Sequence, residues 1–159
     1  LRIAQRTAGC LPILSSIKNE GVPIMKSKGE KSERYRRGIK LVKQLYGEVG
    51  ARTLDSLQEN APQLADYIVE FVFGDVFSRP QLDVKTRELI TVAALTAMGT
   101  APAQLRAHIF GALNAGCTRE EICEAISQMC VYAGFPAALN GMAAAADIFA
   151  RISTKSKKK

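Results

Sequence analysis

The chain has 159 residues, 47% of them apolar and 23% charged, with 22 Lys and Arg against 15 Asp and Glu. That length and apolar share suit one domain with a core of its own and exclude a disordered or collagenous chain. Four cysteines with no C-x-x-C pair exclude a disulfide scaffold and a zinc-finger pattern.

The net charge of +7 is confined to the two ends. Residues 1–32 carry six basic against two acidic side chains, and residues 153–159 carry four lysines and no acid, a net +4 in each case. Residues 33–152 carry 12 basic against 13 acidic side chains. A nucleic-acid-binding domain is expected to place a basic face on its folded body, so no nucleic-acid partner is expected. Lys155–Lys159 reads as a solvated tail. Residues 1–32 form a basic extension foreign in character to the rest of the chain: a displaced arm, upstream sequence or a targeting segment. Thr7-Ala8-Gly9-Cys10 ends like a lipobox, but no apolar run precedes it, and the expected compartment is the cytoplasm.

From Glu33 the apolar residues recur at three and four, the period of a helix, with no alternating runs. Residues 33–47 predict a first helix (Tyr35, Ile39, Val42, Leu45, Tyr46) closing at Gly47, and residues 50–60 a second, with Leu54 and Leu57 inward. Pro62 suits the first position of a third, which carries Leu64, Ile68, Phe71 and Val72 towards Phe77 and breaks at Ser78-Arg79-Pro80. Asp83 caps a fourth helix, 84–98, and Pro102 opens a fifth that Gly116 ends. Thr118-Arg119-Glu120-Glu121 is a capping box for a sixth, 119–133, stopped at Gly134. Pro136 opens the last, to about Ile152. The expectation is an all-α bundle of about six to seven helices spanning residues 33–152.

Residues 125–146 hold no charged side chain, enough to cross a bilayer. Gly134 and Pro136 interrupt them, and Ala137, Ala138, Gly141 and Ala143–Ala146 instead permit close helix contact. A helix small and apolar nearly all round is buried, which points to a subunit interface as well as a core and to no membrane partner.

His108, the single histidine, follows Leu105 by three and precedes Ala112 by four, on the inward stripe of its helix. Glu88 lies between Val84 and Val92 on the helix before. A carboxylate on an apolar stripe either pairs with a cation or has a raised pKa and a chemical task. The short Gly99–Ala101 turn makes the two helices neighbours, so both side chains are candidates for one cavity. Arg79, Lys85, Arg87 and Arg106 surround the region as candidate anion binders, and Tyr67 and Tyr132 are candidate hydrogen-bond donors. Cys123 and Cys130, about 10.5 Å apart along one helix face, are too distant for a disulfide and read as small buried hydrophobes. Cys117 reads as the exposed thiol. No phosphate loop, metal-ligand cluster or hydrolase elbow is present in the sequence.

Three stretches together resemble the carboxymuconolactone decarboxylase family. They are Arg79-Pro80-Gln81-Leu82-Asp83-Val84-Lys85-Thr86-Arg87-Glu88-Leu89, Leu105-Arg106-Ala107-His108 with Ala112-Leu113-Asn114-Ala115-Gly116, and Glu120-Glu121-Ile122 with Tyr132-Ala133-Gly134-Phe135-Pro136-Ala137-Ala138. The resemblance covers roughly residues 34–150. It implies an alkylhydroperoxidase D-like fold, assembly as a trimer or hexamer, and a small-molecule substrate. In peroxidase-type members a Glu, a C-x-x-C pair and a His form a proton relay. Glu88 and His108 match its outer members approximately, whereas Thr100–Gln104, the thiol positions, contain no Cys. In decarboxylase-type members the resemblance implies His108 and Glu88 as catalytic groups, Arg79 or Arg87 as the holder of the substrate carboxylates, and no metal or organic cofactor; Tyr132 joins them as a candidate substrate-binding donor. Typical decarboxylases have tryptophans where Phe73-Gly74-Asp75-Val76-Phe77 stands, and often a second His where Ser127-Gln128-Met129 stands; this chain has no Trp.

Overall fold

Local signals in the chain place the helix ends. In the computed structural model, which describes residues 31–156, the Ser32 hydroxyl accepts from the Tyr35 N–H and starts α1, Glu33–Asn60. Pro62 opens α2, Pro62–Tyr67, which runs on without a break into a π-helical segment, Ile68–Val76. There the hydrogen bonds reach back five residues, as from the Phe77 N–H to the Val72 carbonyl. Asp83 caps α3, Val84–Met98, through the Thr86 N–H, and Pro102 begins α4, Pro102–Asn114. The Thr118–Glu121 capping box forms with both of its hydrogen bonds at the start of α5, Arg119–Ala133. The last helix, α6, spans Phe135–Ser156.

The described residues therefore form six helices and no strand. The first two predicted helices are one element, bent at Gly47, whose φ of 56° and ψ of −146° no helix accommodates. The carbonyl of Leu45, just ahead of the bend, accepts a 2.6 Å hydrogen bond from the Asn114 side chain at the end of α4. The last helix continues four residues past the predicted end, into the stretch expected to be tail. The proposed extension before Lys31 lies outside the described residues, as do the last three lysines.

Two apolar clusters make up the interior. Val92, Leu105, Ile109, Ile122, Ile126, Ala144, Ala145 and Ile148 join α3 to α6, while Leu41, Val42, Leu45, Leu54, Val69 and Phe73 join α1 to the π segment. A Cβ on Gly74 would stand 2.5 Å from the Arg34 carbonyl, so glycine is what lets α1 lie against the π segment. Part of the small-residue stretch of α6 serves this chain's own packing, while Ala143 and Ala146 are exposed. Ala138, Gly141, Ala144 and Ala145 are buried, and a Cβ on Gly141 would meet Ile126 and Thr96 at 2.9 Å. Leu64 and Phe71, apolar residues of the third predicted helix, are exposed. No helix among the described residues is long and apolar enough to cross a membrane.

Candidate functional site

Three helices meet at the seam between the two clusters, and each contributes one polar side chain. Glu88 of α3 is fully buried, and an ionised carboxylate without water requires partners for both oxygens. The Tyr46 hydroxyl of α1 donates to its Oε1 at 2.7 Å, and Nδ1 of His108 on α4 lies 2.9 Å from its Oε2. Nδ1 is also 2.9 Å from the Tyr46 oxygen. Three contacts thus share two hydrogens. A carboxylate only accepts, and the single phenolic hydrogen goes to Glu88. With Glu88 ionised, Nδ1 therefore carries a hydrogen directed between Glu88 and Tyr46. In the neutral ring that tautomer leaves the lone pair on Nε2, which no described residue takes up.

Burial, reinforced by the neighbouring Glu88 charge and its hydrogen bond, holds the Tyr46 hydroxyl far above the ordinary tyrosine value, so it is a permanent donor. Its ring is held edge-on by Phe73 of the π segment, with centroids 5.8 Å apart. Gly111, one turn beyond His108 on the inner side of α4, makes room for it. A Cβ there would be 2.7 Å from Tyr46 Cε1 and 3.1 Å from Glu88 Oε2.

His108 and Tyr46 open onto a cavity of about 490 Å³ between the outer half of α1, the π segment, α4 and the end of α6. Val42, Leu54, Leu57, Phe73, Phe110 and Ile148 supply apolar walls; Thr53, Gln104, Arg106 and Arg151 are its other polar members. Arg106 donates to Asp147 Oδ2 at 3.2 Å, and Arg151 Nη2 lies 3.9 Å from the same oxygen.

The remaining candidates fall elsewhere. Arg79 lines a second, separate pocket of about 400 Å³ with Arg37, Lys40 and Asp83. Arg87 turns back to the Leu82 and Arg79 carbonyls, and Tyr132 is exposed at the end of α5. None of the three lines the His108 cavity within this chain, because Arg87 and Tyr132 point off helix faces that do not converge there and Arg79 precedes the turn into α3. Lys85 is engaged by Glu121, 2.7 Å away. The partners of Glu88 are Tyr46 and His108.

Cys117, expected to be exposed, is only 5% exposed. The turn after Gly116 carries it inward, where Sγ contacts the Lys85 carbonyl at 3.6 Å. Burial, with Glu121 next in effect, pushes its thiol above the ordinary range. Cys123 and Cys130 are partly exposed rather than buried. Among the described residues no three His, Cys, Asp or Glu side chains converge as a metal-binding group.

Sequence reasoning missed Tyr46, Gly111 and Arg151. Tyr46 sits on the apolar stripe of its helix like any core aromatic, and only the weak signal of a hydroxyl on a buried face marked it.

Comparison with known proteins places the chain in a family. The model of the carboxymuconolactone decarboxylase family matches residues 62–147. A 4-carboxymuconolactone decarboxylase of Acinetobacter baylyi is 35% identical over 118 residues, covering 74% of this chain and 87% of that protein. A nitrosuccinic acid decarboxylase of Metarhizium robertsii is 32% identical over 126 residues, covering 74% of this chain and 85% of that protein. An uncharacterized 15.0 kDa protein of Paracoccus denitrificans is 38% identical over 96 residues, covering 60% and 72% respectively.

Proposed function

Since the chain belongs to the carboxymuconolactone decarboxylase family, we propose that it is a carboxy-lyase that decarboxylates a small carboxylated lactone or related acid with His108 as its proton carrier. The observation that carries this reading is the 2.9 Å contact between His108 Nδ1 and the buried Glu88, which orients the imidazole and directs Nε2 to proton transfer. In the proposed step the bond from carbon to carboxylate breaks and carbon dioxide leaves. The electron pair passes into the conjugated carbonyl system, and the proton on Nε2 of the imidazolium closes the carbon centre. Solvent then restores the proton to His108. The lactone itself accepts the electrons, so the scheme calls for no metal or organic cofactor. Arg106 and Arg151 take over the anion-holding role that the resemblance implied for Arg79 or Arg87, because they border the cavity and the others do not. The names of two relatives, both decarboxylases of organic acids, support the reaction class.

The test is carbon dioxide release and ultraviolet monitoring over a panel of carboxylated lactones and related acids, 4-carboxymuconolactone first. Wild-type turnover is expected to fall by about a hundredfold or more in His108→Gln. No turnover of any member by the wild type, or equal turnover by the variant, would sink the proposal and favour a non-catalytic family member. A thiol-dependent peroxidase or reductase has less support, since Cys117 is buried with its thiol held protonated.

Assembly belongs to the same proposal. Val131, Tyr132, Phe135 and Leu139 are each at least 66% exposed where α5 meets α6, and large apolar side chains exposed in one region support an interface there. A homo-oligomer, a trimer or hexamer by family resemblance, is the expected state. Light scattering should read a multiple of the 17.2 kDa chain and a shift towards monomer in Phe135→Glu; a monomeric wild type rejects it.

A further inference from the structure

The walls of the His108 cavity carry information about the ligand that the reaction class does not. Charge is confined to one part of it. Arg106 gives Nε to Asp147 and Nη1 to the Pro102 carbonyl, leaving Nη2 without a described partner. Arg151 reaches the same Asp147 oxygen through Nη2 alone. Two guanidinium groups thus share one carboxylate, a local excess of one positive charge, and both line the cavity while Asp147 does not. On α4 the small Ala107 lies between Arg106 and His108 and also lines the cavity. Away from the arginines the wall is mostly hydrocarbon, from Val49, Leu54, Leu57, Phe110, Ile148 and Ile152, and the hydroxyl of Thr53 there is spent on the Val49 carbonyl. A volume of about 490 Å³ falls within the range of about 300–1,000 Å³ typical of small-molecule sites.

A compact polyacid fits such a cavity poorly. One net positive charge balances one carboxylate besides the one that leaves, and the apolar wall would desolvate any more without hydrogen bonds. We propose that the acid bound here carries one anionic anchor at the end of an apolar body, the anchor held by Arg106 and Arg151 and the body lying on the aliphatic wall with its reacting carbon towards His108. This deepens, and rests on, the reading of the cavity as the substrate site. Because the anchor is not the carboxylate that leaves, the product keeps it, so an unreactive monocarboxylate of similar shape imitates the product.

Calorimetric titration of the full chain with butanoate, hexanoate and octanoate, and with octanol and butanedioate as controls, tests the inference independently of turnover. Each methylene moved from water onto the wall is worth up to about fourfold in affinity. Octanoate is therefore expected to bind about tenfold or more tighter than butanoate, butanedioate or octanol. In the Arg106→Met/Arg151→Met double variant its advantage over octanol is expected to vanish, and in Leu57→Asp the chain-length dependence to flatten. Tightest binding by butanedioate, or octanoate affinity unchanged by loss of both arginines, overturns the inference. Failure of decarboxylation with the octanoate pattern intact would fault the reaction and leave the ligand class standing. His108-dependent turnover with a preference for butanedioate would do the reverse.

Discussion

The Tyr46 hydroxyl stands 2.7 Å from the Glu88 carboxylate, and that bond ties the α1 cluster to the α3–α6 cluster at the point where His108 enters. The same hydrogen bond thus has a part in stability and in setting the imidazole. Its position at the seam of two cores makes both parts measurable.

Tyr46→Phe removes the donor and leaves Glu88 with His108 alone. A hydrogen bond to a buried charged group contributes about 1.5–3 kcal/mol, so a stability loss of that order is expected in denaturant melts. Because the residue acts through His108 rather than on substrate, kcat should fall more than KM rises. An unchanged kcat with lowered stability would reduce Tyr46 to a structural tie.

The same hydroxyl predicts an alkaline limit. Its folded pKa is raised above the ordinary 10.0, so the folded state keeps a proton that the unfolded chain gives up. Stability from this group is full below about pH 10 and declines as pH rises beyond it. Tyr46→Phe should flatten that decline. The ultraviolet tyrosinate titration of the native protein should be the same in both proteins until they unfold.

Gly111→Ala places a methyl 2.7 Å from the Tyr46 ring. Overpacking of this kind costs about 1–3 kcal/mol, and here it pushes the phenol away from Glu88. Expected are a lowered melting temperature and a loss of turnover resembling that of Tyr46→Phe. A variant as stable and active as wild type would mean that Tyr46 has freedom the packing does not suggest.

Glu121 closes the α5 capping box and also binds Lys85 of α3. The Lys85 hydrogen bond first, then the Thr118 N–H, holds its carboxyl below the ordinary 4.5. A depressed carboxylate stabilises the fold above its unfolded pKa and stops doing so as pH falls through the folded one. Melts between about pH 6 and pH 3 should show a steeper acid loss for wild type than for Glu121→Gln. Equal slopes would indicate that the pair is as strong in the unfolded chain.

Cys117, buried and protonated, should alkylate more slowly than Cys123 and Cys130 in the folded protein and at the same rate in denaturant. Decarboxylation by Cys117→Ala should match wild type. Fast native alkylation of Cys117 would reopen the thiol route.

Glu88 and His108 were legible in the sequence because each is polar on an apolar stripe and a three-residue turn joins their helices. Tyr46 was not, because a phenol on such a stripe looks the same whether its hydroxyl reaches solvent or a buried carboxylate 42 residues away. Arg79 and Arg87 show the converse. Near Glu88 along the chain, they leave its helix or the turn before it in other directions, whereas Arg151, 63 positions on, borders the cavity with His108.

Read alone, the chain determines its helices, their caps and breaks, and the polar residues that share their buried stripes. These depend on hydrogen bonds and spacings within a few residues, which each segment satisfies for itself. Tertiary structure decides which stripes face one another: the union of Tyr46, Glu88 and His108, the need for glycine at 111, the burial of Cys117, and the pair of arginines beside the cavity. Those outcomes depend on the angles and distances at which helices cross, set by packing over the whole chain, and no local pattern encodes them.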